Sequence, residues 1–184
     1  MRVLIHACCA NCLIYPLKAL RREGMEVWGF FYNPNIHPYT EYVRRREALK
    51  EYAERVGLRI IWRDSYDLER FLRAVVFREG NRCQVCYHLR LEATVQVARH
   101  GRFDAFTTTL LYSKQQRFQL VSEVGEALGK EYGVPFLLRD FREGWREGIE
   151  ESKALGLYRQ QYCGCIYSEK ERFLGKGVKG DEPS

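Results

Sequence analysis

Apolar residues along this chain fall into two alternating patterns. Short, nearly unbroken apolar runs at residues 3–7, 26–32, 58–62, 105–111 and 135–139 have the length and the β-branched or aromatic character of buried strands. Between them, apolar positions recur every three or four residues. The clearest case is 39–56, where Tyr42, Ala48, Leu49, Tyr52, Ala53 and Val56 supply most of one face and Gly57 a stop. Further helices are predicted from about Pro16 to Arg22 and over 67–77, 83–100, 117–132 and 144–155. Strands alternating with helices of this kind describe repeated βαβ units, hence an α/β fold with a doubly wound, mostly parallel sheet of about five strands. Residues 1–174 read as a single domain and 175–184, rich in Gly and Lys, as a flexible C-terminal tail. In open parallel sheets, ligands collect at the carboxyl ends of the strands. That edge takes the Cys8–Cys9 segment, the turn at Asn33, and Tyr112 with Ser113.

Composition changes the picture in one respect. With 46% hydrophobic and 29% charged residues, the 184-residue chain has an ordinary globular balance. No apolar run approaches the ~20 residues that cross a bilayer, and Met1-Arg2 leads straight into a strand rather than into a signal peptide. A cytoplasmic protein that does not enter a membrane is expected. In that compartment thiols stay reduced, so seven cysteines, an odd number, argue for metal or redox chemistry over a disulfide framework. The formal charge of +6 favours a polyanionic partner.

The cysteines form three groups: Cys8, Cys9 and Cys12; Cys83 and Cys86; Cys163 and Cys165. Adjacent cysteines point in divergent directions, so Cys8 and Cys9 suit separate corners of a polynuclear centre better than a mutual disulfide. Cys83-x-x-Cys86 is a soft-metal chelate found in zinc and iron–sulfur sites alike, with a thioredoxin-like redox pair as the competing reading. Cys163-Gly164-Cys165 can close a small strained ring, and strained disulfides are the redox-active ones. A closed four-thiolate zinc site is the rival to iron. Doubled cysteines at the active edge of a sheet favour iron–sulfur, because zinc sites usually use two short chelating loops. Buried cysteines that serve only as small core residues are the plain alternative, and clustering argues against it.

The remaining polar candidates are less specific. His6, inside a strand, reads as a hydrogen-bonded core residue, His88 as at most a neighbour of the metal ligands, and His100 as a helix-end surface residue. His37 is expected on the surface, where it, Asn33 and Tyr39 could meet a base or sugar; the other reading is a stiff turn. Tyr112 and Ser113 offer hydroxyls at the active edge, or a plain polar loop. Arg21-Arg22 and Arg44-Arg45-Arg46 are suited to phosphates, although such runs are commonly solvated helix faces. No Gly-rich phosphate loop follows any strand.

Five segments taken together resemble the cobalamin-independent, QueH-type epoxyqueuosine reductases. They are H-A-C-C-A-N-C, F-Y-N-P-N-I-H-P-Y, R-C-x-x-C-Y-x-x-R-L, T-T-T-L-L-Y-S and F-R-E-G with Y-R-Q-Q-Y-C-G-C-x-Y-S. The resemblance runs to about residue 173. It implies a Rossmann-like fold related to adenine-nucleotide α-hydrolases, and reduction of epoxyqueuosine to queuosine at the wobble position of tRNA with a GUN-type anticodon. It also implies an electron donor of unknown identity. By the same resemblance Cys8, Cys9, Cys83 and Cys86 match positions that bind a [4Fe-4S] cluster, Cys12 one associated with an additional iron ion, and Cys163 and Cys165 the redox-active pair. The chain departs from the commoner C-C-A-P-C at Asn11. Outside this reading stand two others: an iron–sulfur tRNA sulfur-transfer enzyme, whose phosphate loop is missing here, and a non-enzymatic tRNA-binding module with a structural four-cysteine zinc.

Overall fold

Strand β1 (Arg2–His6) forms the middle of the molecule, and Val3, Leu4 and Ile5 are fully buried because both of its faces are covered. A computed structural model describes residues 1–175; the expected tail lies outside the described residues from 176 on. After β1 come α1 (Ala10–Arg22), β2 (Glu26–Phe31), α2 (Tyr39–Arg55), β3 (Ile60–Trp62), α3 (Leu68–Val75), α4 (Arg82–His100) and β4 (Ala105–Thr108). The chain then adds α5 (Phe118–Tyr132), α6 (Trp145–Ala154) and α7 (Ile166–Phe173). All strand pairs are parallel, in the order β3-β2-β1-β4. Helix α1 packs with α2 and α6, and α4 packs with α5 against β1 and β4, so the sheet is wound on both faces. The direction of winding reverses between β1 and β4, and in open parallel sheets the crevice for a ligand lies at the carboxyl ends of the strands at such a switch point.

Among the described residues four strands stand where about five were expected. Residues 135–139 make only an isolated bridge, Phe106 to Phe136. Its two backbone bonds are Phe106 N to Pro135 O (3.0 Å) and Leu137 N to Phe106 O (2.8 Å). The ladder then stops because the Thr107 hydroxyl takes the Leu137 carbonyl at 2.8 Å. The fourth strand also ends early. Thr108 turns its hydroxyl to accept from Leu110 N (3.2 Å), and residues 109–111 curl into a 3-10 turn.

Helix α1 starts earlier than Pro16 because Cys9 caps it, its sulfur accepting from Cys12 N at 3.4 Å. Helix α7 was not foreseen. It has eight residues and buries none of them fully, so it leaves no apolar stripe to read.

Candidate active site

The crevice at the switch point is lined by sulfur. Cys8 follows β1 directly, and its backbone N donates to Thr109 Oγ1 (3.1 Å), which returns a bond to Cys8 Sγ (3.2 Å). A hydroxyl at the end of β4 thus fixes the first cysteine across the gap. Cys9 is extended (φ −169°, ψ 167°) where the chain turns into α1, and Cys12 sits in the first helical turn. This turn brings Cys8 and Cys9 Sγ to 3.7 Å of each other. The adjacent cysteines therefore converge, contrary to the expectation from their spacing. With Cys12 they make a buried group of three sulfurs, all within 4.8 Å. Hydrogen bonds from Cys12 and Cys9 hold the Cys8 thiol well below its ordinary value, whereas burial pushes Cys9 up.

The second group lies across a buried arginine. Cys83 and Cys86 are on the first turns of α4, and Cys86 shares a small apolar cluster with Cys165, Phe71 and Val75. Arg90, one turn on and 1% exposed, donates from Nη2 to Cys86 Sγ at 3.0 Å and from Nε to Cys86 O at 3.2 Å. The sulfurs facing its charge are those of Cys86, Cys163 and Cys8. Burial pushes the Cys86 thiol up to about 12, and the Arg90 charge opposes the rise. A buried guanidinium needs an anion beside it. A metal takes cysteine only as thiolate, so a thiolate-bound metal centre is the state in which this donor set is balanced. The residues fit such a centre.

The third group is delivered by an irregular strap, residues 158–166, laid over the loop that follows β2. Arg45, 1% exposed, donates from Nη1 to Cys163 O (2.8 Å) and from Nη2 to Tyr162 O (2.9 Å). Its Nε pairs with Glu41 Oε1 at 2.7 Å, and the Tyr158 hydroxyl donates to the other oxygen of Glu41. Gly164 adopts φ +149°, where a Cβ would stand 3.2 Å from Asn35 Nδ2 and 3.3 Å from Arg45 Nη1. Only glycine fits that approach. Cys163 Sγ accepts from Gln116 Nε2 at 3.1 Å, and Cys165 caps α7, its sulfur accepting from Ser168 N at 3.4 Å. All seven cysteines are free thiols.

His37 is a correction. Expected at the surface, it is 1% exposed and ties the strap down. Its Nε2 donates to Pro34 O (3.0 Å) and its Nδ1 accepts from Ile166 N (3.4 Å), so neither ring nitrogen is free for a substrate. The other candidate contacts divide. Asn33 is fully buried with its amide on Ala7 O (3.0 Å), Tyr112 donates to Trp145 O (3.1 Å), and Ser113 Oγ accepts from Gln115 N (3.2 Å). Tyr39 alone among them is exposed, at 54%.

His6 is the core residue its position suggested. Nε2 faces the Tyr32 carbonyl (3.1 Å), which can only accept, so Nδ1 accepts from the Thr108 hydroxyl (3.0 Å). Burial, with the Arg90 charge second, lowers its pKa to about 4 and keeps it neutral.

Arg90 and Gln160 were given no role from the sequence, and Arg45, expected in a run suited to phosphates, is instead buried against Glu41 and the strap. A signal for the two arginines exists. Arg45 falls three residues from both Tyr42 and Ala48, inside the apolar stripe of α2, and Arg90 is four residues from both Cys86 and Thr94.

A Rossmann-like sheet with buried thiols gathered at its switch point fits an α/β enzyme able to hold a metal at cysteine. The profile described as Epoxyqueuosine reductase QueH matches residues 3–171. The chain belongs to that family. It is 38% identical over 172 residues to the epoxyqueuosine reductase QueH of Dehalococcoides mccartyi, covering 94% of each chain. It is likewise 38% identical over 179 residues to that of Thermotoga maritima, covering 92% of this chain and 91% of the other. Among solved structures, a predicted subunit of tRNA methyltransferase from Methanocaldococcus jannaschii superposes with a TM-score of 0.57 at 12% identity, covering 83% of this chain and 76% of that one. That likeness concerns the fold alone. Among the described residues no helix is long and apolar enough to cross a membrane.

Proposed function

We propose that the protein reduces the epoxide of epoxyqueuosine to the alkene of queuosine, at the wobble position of tRNA with a GUN-type anticodon. The observation that carries this is the buried group of Cys8, Cys9 and Cys12 at the switch point, in a chain of the QueH family. Cys8, Cys9, Cys83 and Cys86 would hold a [4Fe-4S] cluster, with an additional iron at Cys12. Such a centre supplies single electrons and a Lewis acid for the departing oxygen.

The protein's own groups account for the rest of the balance. Converting an epoxide to an alkene breaks two C–O bonds, forms a C=C bond and releases the oxygen as water; it consumes two electrons and two protons. Oxidation of the Cys163 and Cys165 thiols to a disulfide yields two electrons and two protons. Burial pushes the Cys163 thiol up, and the Arg90 charge, the Gln116 amide at 3.1 Å from Sγ and the Arg45 charge oppose the rise. An external reductant of the cell returns the disulfide to the dithiol. Acting on tRNA, the protein works in the cytoplasm, and the net charge of +6 suits that substrate.

Anaerobic iron and sulfide quantitation, followed by turnover assays of Cys163→Ser, tests this reading. The variant should keep its iron and the blue-region absorbance but lose multiple turnover. Full turnover by Cys163→Ser would remove the pair from the reaction. A colourless protein with stoichiometric zinc would remove the iron.

A further inference from the structure

Gln160 belongs to the strap, yet it reaches past the strap's own cysteines to the first group. Its Nε2 lies 2.9 Å from Cys9 Sγ and 3.5 Å from Cys12 Sγ. An amide carries two N–H donors on that nitrogen, one for each sulfur. What fixes the direction of the amide is Asn11. Its Nδ2 donates to Gln160 Oε1 at 2.8 Å and to the Tyr158 carbonyl at 2.9 Å. Both partners can only accept, so the Asn11 amide has one workable orientation, and it leaves Asn11 Oδ1 buried without a hydrogen bond. The Gln160 amide is thereby set as well. Turned over, it would place a donor against Asn11 Nδ2 and an oxygen lone pair against two sulfurs. The bonds to Tyr158 O and Gln160 Oε1 hold Asn11 in this orientation even though its Oδ1 is left without a partner.

We propose that Asn11 and Gln160 form a positioning relay that aims two N–H groups at Cys9 and Cys12 and so sets the thiolate strength of the metal centre. The inference rests on the metal-centre reading above. It also links two regions: the strap that carries Cys163 contributes, through Gln160, to the electronics of sulfurs 151 and 148 residues away in sequence. N–H groups directed at ligand sulfur stabilise the thiolate and tune the potential of the centre it holds.

The test uses the full-length protein, stripped of metal under anaerobic conditions and titrated with Co(II) alone. Affinity and the thiolate-to-Co(II) charge-transfer band are read for wild type, Gln160→Leu, Gln160→Glu and Asn11→Asp. Gln160→Leu should weaken Co(II) by about tenfold and move the band to lower energy. Gln160→Glu keeps the shape but sets a carboxylate against the sulfurs, so it should be worse than Gln160→Leu. A role in packing alone reverses that order. Asn11→Asp cannot donate to Gln160 Oε1 and should reproduce the band shift of Gln160→Leu without touching either sulfur; it carries the test if the leucine variant does not fold. Combining the two changes should add little. Equal affinities and bands in all variants would overturn the relay and leave the metal centre standing. Failure of the wild type to take Co(II) at its cysteines would overturn both.

Discussion

Cys8, Cys9 and Cys12 reach the crevice by different physical means from Cys163 and Cys165. The first three are placed by backbone: the end of the most buried strand, an N-cap and a first helical turn. Their positions follow from about ten consecutive residues plus one hydroxyl, Thr109. The other two are placed by side chains from distant elements. Arg45 holds the carbonyls of 162 and 163, His37 takes the backbone of 164 and 166, and Asn11 takes the carbonyl of 158. A site fixed by strand and helix is rigid by construction, and one fixed by a polar network is only as firm as its weakest bond. The contrast suits the proposed division between a stationary metal centre and a thiol pair that changes partners during a redox cycle.

The two regions should therefore respond differently to substitution. The largest effect is expected at the first. Cys9→Ala removes a proposed metal ligand and the cap of α1, and should abolish activity together with stoichiometric metal uptake, measured by anaerobic metal analysis. Next comes the strap. Arg45→Met strips two backbone carbonyls of their donor and leaves Glu41 buried without its cation, a loss of about 3–5 kcal/mol in urea unfolding. If the strap is held as described, the metal-free variant should also expose Cys163 to alkylation much faster than Cys9. Equal rates for both thiols would dissolve the distinction between the regions.

A smaller loss, about 1–3 kcal/mol, is expected for Gly164→Ala. The site demands a φ that alanine resists, and the new Cβ meets Asn35 and Arg45. Faster alkylation of Cys163 should accompany it, with Cys8 unaffected. The smallest is Thr109→Val, which deletes the hydroxyl bridging Cys8 N and Sγ at a cost of about 1 kcal/mol. Its signature should be confined to the first group: the lost hydroxyl lets the Cys8 thiol rise, so Cys8 should react more slowly at unchanged Cys163 reactivity.

The same division governs what was legible in the sequence. Alternating apolar runs and helical stripes were enough for the parallel α/β order and for the edge on which Cys8 and Cys9 sit, because those depend on local pattern. The extra strand at 135–139 was misread since nothing in its composition reveals that the Thr107 hydroxyl takes the Leu137 carbonyl in place of a backbone donor. His37 looked like a surface residue because its loop is polar, yet three-dimensional closure by the strap buries it. Gln160 carried no signal at all. Its role exists only once Asn11 and the sulfurs are brought together, and a proline at position 11 would offer no side-chain donor to set it. Arg45 and Arg90 were readable in principle as charges inside apolar stripes, the pattern to look for when a buried anion is suspected.

The most direct test of the central claim, that sulfurs from three segments act together on the epoxide, is mass analysis of tRNA nucleosides. Anaerobically iron-loaded protein would be incubated with epoxyqueuosine-bearing tRNA and a chemical reductant. The account predicts loss of one oxygen atom from the modified nucleoside, and no such loss with Cys9→Ala. An unchanged nucleoside, or one that has gained sulfur, would contradict it.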